Sequence, residues 1–221
     1  MNKRFSIAIH GGAGTLVKGL MTAEKEAEYK SALSEALEKG YAILENDGNA
    51  MDAVETAVKH LEDSPLFNAG KGSVFTNEGT HEMDAAIMDG KTLEAGAVSL
   101  ITGIKNPVSL ARDVMGKSNH VFLAGEGAML FAESLCYKLE APEYFYDEFR
   151  YQQWQDIKES DAFQLDHSDK KDSKFGTVGA VACDKEGNIA AATSTGGMTN
   201  KRWGRVGDSP IIGAGNYANN K

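Results

Sequence analysis

From Thr177 onward the chain carries the pattern of a β-hairpin built from small residues. Val178, Ala180 and Ala182 alternate along one strand, Asp184-Lys185-Glu186-Gly187-Asn188 supplies the turn, and Ile189 to Thr195 returns as the partner. This pairing brings the hydroxyls of Thr177 and Thr195 to neighbouring ends of the hairpin. The approach to it is abrupt: a charged, irregular stretch from Asp166 to Lys174 stops at Phe175-Gly176. Threonine is a weak nucleophile unless a base sits beside its hydroxyl, and one such base is its own α-amine, freed when the preceding peptide bond is cut. Gly176 permits the strained backbone that such a cut needs, because it has no Cβ to clash. The bland alternative is that Gly176-Thr177-Val178 merely opens a buried strand after a loop.

The rest of the composition narrows the class. A chain of 221 residues suffices for one large domain or two small ones and needs no covalent staple. A formal net charge of -9 argues against a nucleic-acid partner, since phosphate contacts call for a basic face. Cys136 and Cys183 stand far apart and in no metal-type spacing, which fits a reducing compartment. No apolar run reaches membrane-spanning length, and the start at Met1-Asn2-Lys3-Arg4 is too short and broken for a signal peptide. The expectation is a soluble, cytoplasmic protein.

In chain order, Phe5 to Ile9 reads as a strand running into His10-Gly11-Gly12-Ala13-Gly14-Thr15, either a holder of an oxyanion or a turn that simply needs glycine. A helix capped by Thr22 extends to about Asn46, with Leu33, Ala36, Leu37, Gly40, Tyr41 and Leu44 on one face. A second helix follows the cap at Asn49 and buries Val54, Ala57, Val58 and Leu61. Pro65 stops it, and the loop through Gly72 is either an ordinary connection or a set of inward carbonyls able to bind a hard monovalent cation. Residues 73–76 and 83–88 are expected as strands around a turn at Asn77-Glu78-Gly79, with Asp84 solvated or hydrogen-bonded inside. A strand from Ala95 to Ile101, a helix opened by Asn106-Pro107, a strand at 121–124 and a helix at 126–135 follow. A helix near Asp147 to Lys158 then leads into a mobile linker, about 160–176, containing a solvated His167. After the hairpin, Arg205 and Asp208 either form a surface ion pair or hold the carboxylate and the amine of an amino-acid substrate. A nucleophile, a second hydroxyl and two charged clamps suit the cleavage of an amino-acid amide.

Six motifs, in order, carry a resemblance over nearly the whole chain: His10-Gly11-Gly12-Ala13-Gly14, Phe67-Asn68-Ala69-Gly70-Lys71-Gly72, Met83-Asp84-Ala85, Gly176-Thr177-Val178-Gly179-Ala180-Val181, Thr193-Ser194-Thr195-Gly196-Gly197-Met198 and Gly204-Arg205-Val206-Gly207-Asp208-Ser209-Pro210. The chain resembles the plant-type asparaginase and isoaspartyl dipeptidase (β-aspartyl-peptidase) branch of the N-terminal nucleophile hydrolases. The resemblance implies an α+β fold, a four-layer αββα sandwich, with self-cleavage between Gly176 and Thr177. Residues 1–176 would then form an α-subunit portion and 177–221 the start of a β-subunit.

The implied activity is hydrolysis of L-asparagine and β-aspartyl dipeptides through an aspartyl ester. By the same resemblance Thr177 is the nucleophile, Thr195 its hydroxyl partner, and Asn68 an active-site neighbour. Arg205 binds the substrate carboxylate and Asp208 its ammonium. The implied structural sodium ion takes the main-chain carbonyls of Leu61, Glu62, Ser64, Phe67, Ala69 and Lys71, and no organic cofactor is expected. The implied assembly is a homodimer of cleaved heterodimers. The family pattern continues past Lys221 with a Thr-Gly-Thr-Gly segment forming the oxyanion hole, so the sandwich is expected to be incomplete at its C-terminal end. Two further readings are a glycosylasparaginase-like enzyme and a non-catalytic truncated paralogue acting as a binding module.

Overall fold

The computed structural model describes residues 4–12, 22–159 and 176–221. The linker expected at about 160–176 therefore lies outside the described residues except for Gly176. So do His167, Lys174, Phe175 and the Ala13-Gly14-Thr15 end of the glycine turn.

Among the described residues the strands form one six-stranded sheet. These are β1 (Ser6–His10), β2 (Met83–Asp89), β3 (Ala95–Ile101), β4 (Phe122–Ala124), β5 (Val178–Cys183) and β6 (Ile189–Thr195), ordered β1-β5-β6-β2-β3-β4. Every pairing is antiparallel except β3 with β4. The late hairpin β5–β6 thus fills the middle of the sheet, between two strands that come early in the chain.

Among the described residues five α-helices accompany the sheet: α1 (Ala23–Glu45), α2 (Ala50–Glu62), α3 (Pro107–Lys117), α4 (Gly125–Ser134) and α5 (Glu148–Ile157). Their starts follow local chemistry. Thr22, Asn49 and Asp147 each accept a backbone N–H from the first turn, and Pro107 occupies the first turn of α3, where a missing N–H costs nothing.

Side chains alternate across the strands, and the two faces of the sheet differ. Val178, Ala180, Ala182, Ala190, Ala192, Ala85 and Ile87 join Leu44, Val54, Val58, Leu61 and Val114 of the helices in one core. On the opposite face Met88, Ala95 and Ala191 pack with Ala218 and Ile212, while Val181 remains 51% exposed.

Two expectations require correction. Residues 73–76 form no strand and no hairpin with 83–88. The Val74 N–H is taken by Asn68 Oδ1 and the Thr76 N–H by Thr80 O, so these two donors are satisfied locally, and β2 finds β3 and β6 instead. Along α1 the buried stripe is Ala36, Gly40 and Leu44, whereas Leu37 and Tyr41 stay exposed. Tyr41 rests its ring on Phe5, with centroids 5.0 Å apart.

Candidate active site

Thr177 stands one residue before β5, and the pairing of Val178 with Ser194 places it opposite Thr195 at the open end of the hairpin. By strand alternation both threonines lie on the face away from the helices, with Gly179, Thr193 and Asp84. Gly176 is buried and Thr177 half-buried. Over this junction sits the turn after β1. Gly12 has φ +118°, and a Cβ there would lie 3.4 Å from Gly176 Cα and 3.6 Å from its carbonyl carbon. That backbone conformation excludes ordinary side chains, so glycine is required by geometry more than by space. His10, paired with Gly179, is pushed below its usual pKa by burial.

The hydroxyl that meets Thr177 is that of Ser209, with Oγ1 to Oγ at 2.7 Å. Thr195 Oγ1 instead accepts the Gly197 N–H at 3.0 Å, fixing the turn that leaves β6. Asn68, fully buried, holds the same turn: its Nδ2 donates to Gly197 O at 2.7 Å, and its backbone carbonyl accepts the Gly196 N–H at 3.1 Å. The sequence-derived residues Gly176, Thr177, Thr195 and Asn68 are therefore tied to one region, the mouth of the β5–β6 hairpin.

Arg205 is half-buried, its guanidinium folded over Gly207, and Asp208 is exposed. Among the described residues no ion pair joins Arg205 to Asp208. Asp84, opposite Thr195, is fully buried. Its Oδ1 accepts the Leu100 N–H at 3.0 Å, and among the described residues its Oδ2 has no hydrogen-bond partner. Burial raises its pKa, while the positive charges of Lys201 and Arg205 and the Leu100 N–H oppose the rise. Arg205 is thus electrostatically linked to the sheet end that carries Thr195.

Glu62, Ser194 and Ser209 are polar groups here to which sequence reasoning gave no side-chain role. Glu62 Oε1 accepts the Val108 N–H at 2.9 Å, and burial pushes its carboxyl up to about 8, with Ser194 and the Val108 N–H pulling the other way. Ser194 lies on the helix-side face, beneath the strand end. Alternation along the hairpin carried the signal for Ser194. Ser209 was quoted within a motif, but nothing in its spacing announced a partner 32 residues away.

In the loop from Leu61 to Gly72, main-chain carbonyls crowd the glycines, Glu62 O at Gly70 and Phe67 O and Pro65 O at Gly72. A Cβ on Gly72 would lie 2.2 Å from Phe67 O and 2.6 Å from Pro65 O, so only glycine admits these oxygens. Phe67 O and Ala69 O each accept one backbone N–H from within the loop and keep a second lone pair, whereas Leu61 O accepts from both Asp63 and Ser64. Lys71 Nζ lies over the Tyr144 ring, 5.4 Å from its centroid. No cluster of His, Cys, Asp or Glu able to hold a metal occurs among the described residues. The donors on offer are neutral oxygens, which suit a hard cation of low charge.

No helix among the described residues is long and apolar enough to cross a membrane. Comparison with known proteins gives a consistent picture. The family model described as Asparaginase matches residues 3–221. An isoaspartyl peptidase of Escherichia coli is 53% identical over 218 residues, spanning 97% of this chain and 68% of that protein. An isoaspartyl peptidase of Salmonella typhimurium is 52% identical over 100% of this chain and 71% of its own length. A plant-type L-asparaginase of Pyrococcus abyssi is 50% identical over 97% of this chain and 70% of that protein.

Proposed function

The chain belongs to the asparaginase family and is a hydrolase, and from that premise we propose that it is a self-cleaving threonine amidohydrolase acting on L-asparagine and β-aspartyl dipeptides. The observation that carries this reading is the placement of the Gly176–Thr177 bond: it lies against the Gly12 turn, and Thr177 Oγ1 is already hydrogen-bonded at the mouth of a central hairpin. In self-cleavage the Thr177 hydroxyl attacks the Gly176 carbonyl. The C–N bond breaks as a C–O ester forms, and the hydroxyl proton ends on the Thr177 nitrogen. Water then hydrolyses the ester, leaving Thr177 with a free α-amine.

In turnover that amine takes the hydroxyl proton while the oxygen attacks the side-chain carbonyl of the substrate. The leaving amine departs with a proton as ammonia or an amino acid. Water releases aspartate from the aspartyl ester and returns the hydroxyl to Thr177. Arg205 binds the substrate α-carboxylate by its planar fork and Asp208 the α-ammonium. Thr195 sits opposite the nucleophile and assists the first cut, and Asn68 keeps the 196–197 turn in place. A sodium ion on the carbonyls of Leu61, Glu62, Ser64, Phe67, Ala69 and Lys71 would fix the shape of the loop that presents Asn68; its contribution is structural.

Residues up to Gly176 then form one subunit and those from Thr177 another, in a homodimer of cleaved heterodimers. The four-layer sandwich is supported by the small-residue outer face of the sheet, where exposed Val181 lies beside Gly179 and Ala191. Intact mass spectrometry at neutral pH, fresh and after several days, tests the reading together with assays on β-aspartyl dipeptides and asparagine. A fragment beginning at Thr177 accompanied by hydrolysis is expected, and T177A is expected to do neither. A single uncut mass without hydrolysis refutes it.

A further inference from the structure

We propose that Ser209 is the positioning residue that aims the Thr177 hydroxyl, an assignment that rests on Thr177 being the nucleophile. The Oγ1–Oγ separation of 2.7 Å is the usual hydroxyl–hydroxyl hydrogen-bond length. Ser209 is itself firmly held: it is 3% exposed, and its carbonyl accepts Thr193 Oγ1 at 2.8 Å. Asn216 Nδ2 in turn donates to Thr193 Oγ1 at 3.3 Å and to Ala86 O at 3.2 Å. The segment after β6 is thereby pinned across β6 and β2 on the same face from which Thr177 projects. Thr195 Oγ1 accepts the Gly197 N–H, whereas the hydroxyl that meets Thr177 is that of Ser209.

A nucleophile's rate depends on the fraction of time its oxygen points along the line of attack. Branching at Cβ restricts χ1 of threonine, and a hydrogen bond from a fixed neighbour sets the remaining hydroxyl rotation. Before the cut, the Thr177 nitrogen is tied up in a peptide bond and exerts no pull on that hydroxyl. After the cut, the free amine shares the task. Ser209 therefore matters most for self-cleavage and less for turnover. It keeps its own proton throughout, because the proton of Thr177 goes to the Thr177 nitrogen in both reactions.

The test is a time course of self-cleavage by intact mass for the full chain, in wild type, S209A, T177S and the double variant. S209A is expected to slow the cut about tenfold, the worth of one well-aligned hydrogen bond. The T177S variant lacks the methyl that limits χ1, so removing Ser209 there is expected to slow cleavage by a factor at least about three times larger. A purely structural role would give the same factor in both backgrounds. In cleaved enzyme, S209A is expected to lower kcat a fewfold with KM unchanged. S209C fills the site with a slightly larger group but replaces the hydroxyl by a poor hydrogen-bonding one, and serves if the alanine variant does not fold. Wild-type cleavage rates in folded S209A or S209C, or equal factors in the wild-type and T177S backgrounds, overturn the assignment alone. A wild-type chain that never cuts itself overturns the nucleophile reading and this assignment with it.

Discussion

Asn68 joins two loops through one side chain, and replacing it gives a sharp test of how the site is held. Its Oδ1 accepts the Val74 N–H at 3.1 Å and its Nδ2 donates to Gly197 O at 2.7 Å, with Asn68 fully buried and Val74 1% exposed. In N68A the Val74 N–H loses its partner, at about 1–3 kcal/mol for a buried donor, and the lost bond to Gly197 adds about 1 kcal/mol. The expected total of about 2–4 kcal/mol corresponds to a drop in Tm of roughly 5–15 °C for a chain of this size. N68D is the finer probe. It retains the acceptor for Val74 but sets an oxygen against the Gly197 carbonyl, so its carboxyl gains a folded-state pKa above the ordinary aspartate value. Such a group binds more protons folded than unfolded. Stability is therefore fully present below about pH 4 and is lost as pH rises toward 7. The assay is urea denaturation at about pH 4.5 and about pH 7, with T177A present in every sample so that the chain stays whole. A change under about 0.5 kcal/mol in N68A, near the size of an ordinary surface substitution, or a pH dependence in N68D no different from that of the T177A parent, refutes the reasoning.

Two further outcomes follow from the same geometry. His81, 8% exposed, has its ring against Phe75 with centroids 4.2 Å apart, and burial lowers its pKa to about 4. The unfolded chain then binds more protons between about pH 4 and 6.5. Stability falls as pH drops through that window by about 3 kcal/mol from this group, and H81N is expected to flatten that limb in pH-dependent denaturation. G12A has room for its methyl but not the backbone freedom at φ +118°, a strain of about 1–3 kcal/mol. Mass spectrometry is expected to show self-cleavage slowed at least about tenfold, and an unchanged rate would separate the Gly12 turn from the reaction.

Much of the frame was legible because it is written in short-range chemistry. The caps at Thr22 and Asn49, the proline opening α3 and the alternation of Val178, Ala180 and Ala182 are local signals, and each marks an element that forms. Residues 73–76 misled because Val74, Phe75 and Thr76 have strand composition while the donors of Val74 and Thr76 find partners within a few residues, at Asn68 and Thr80. On α1, helical spacing alone could not tell that Leu37 and Tyr41 sit at the edge of the covered face. Of the candidate site, Thr177, Thr195 and Asn68 were readable from hairpin and motif. The contact of Thr177 with Ser209 was not, since it depends on how the segment after β6 crosses the sheet, which no periodicity encodes.

The order β1-β5-β6-β2-β3-β4 has a consequence for how the protein is made and unmade. Among the described residues β1 touches the sheet only through β5, so its place is vacant until roughly 170 residues more have been synthesised. Pairing over so long a separation is slow to nucleate, because loop closure comes before any contact rewards it. A cut after Gly176 would leave one chain supplying β1 to β4 and another wedged between β1 and β2, each gripping the other by backbone hydrogen bonds on both flanks. The fragments would stay together without any covalent link. Once melted, they would have to find each other by diffusion. A protein that folds as one molecule would thereafter refold as two, at a rate set by its own concentration.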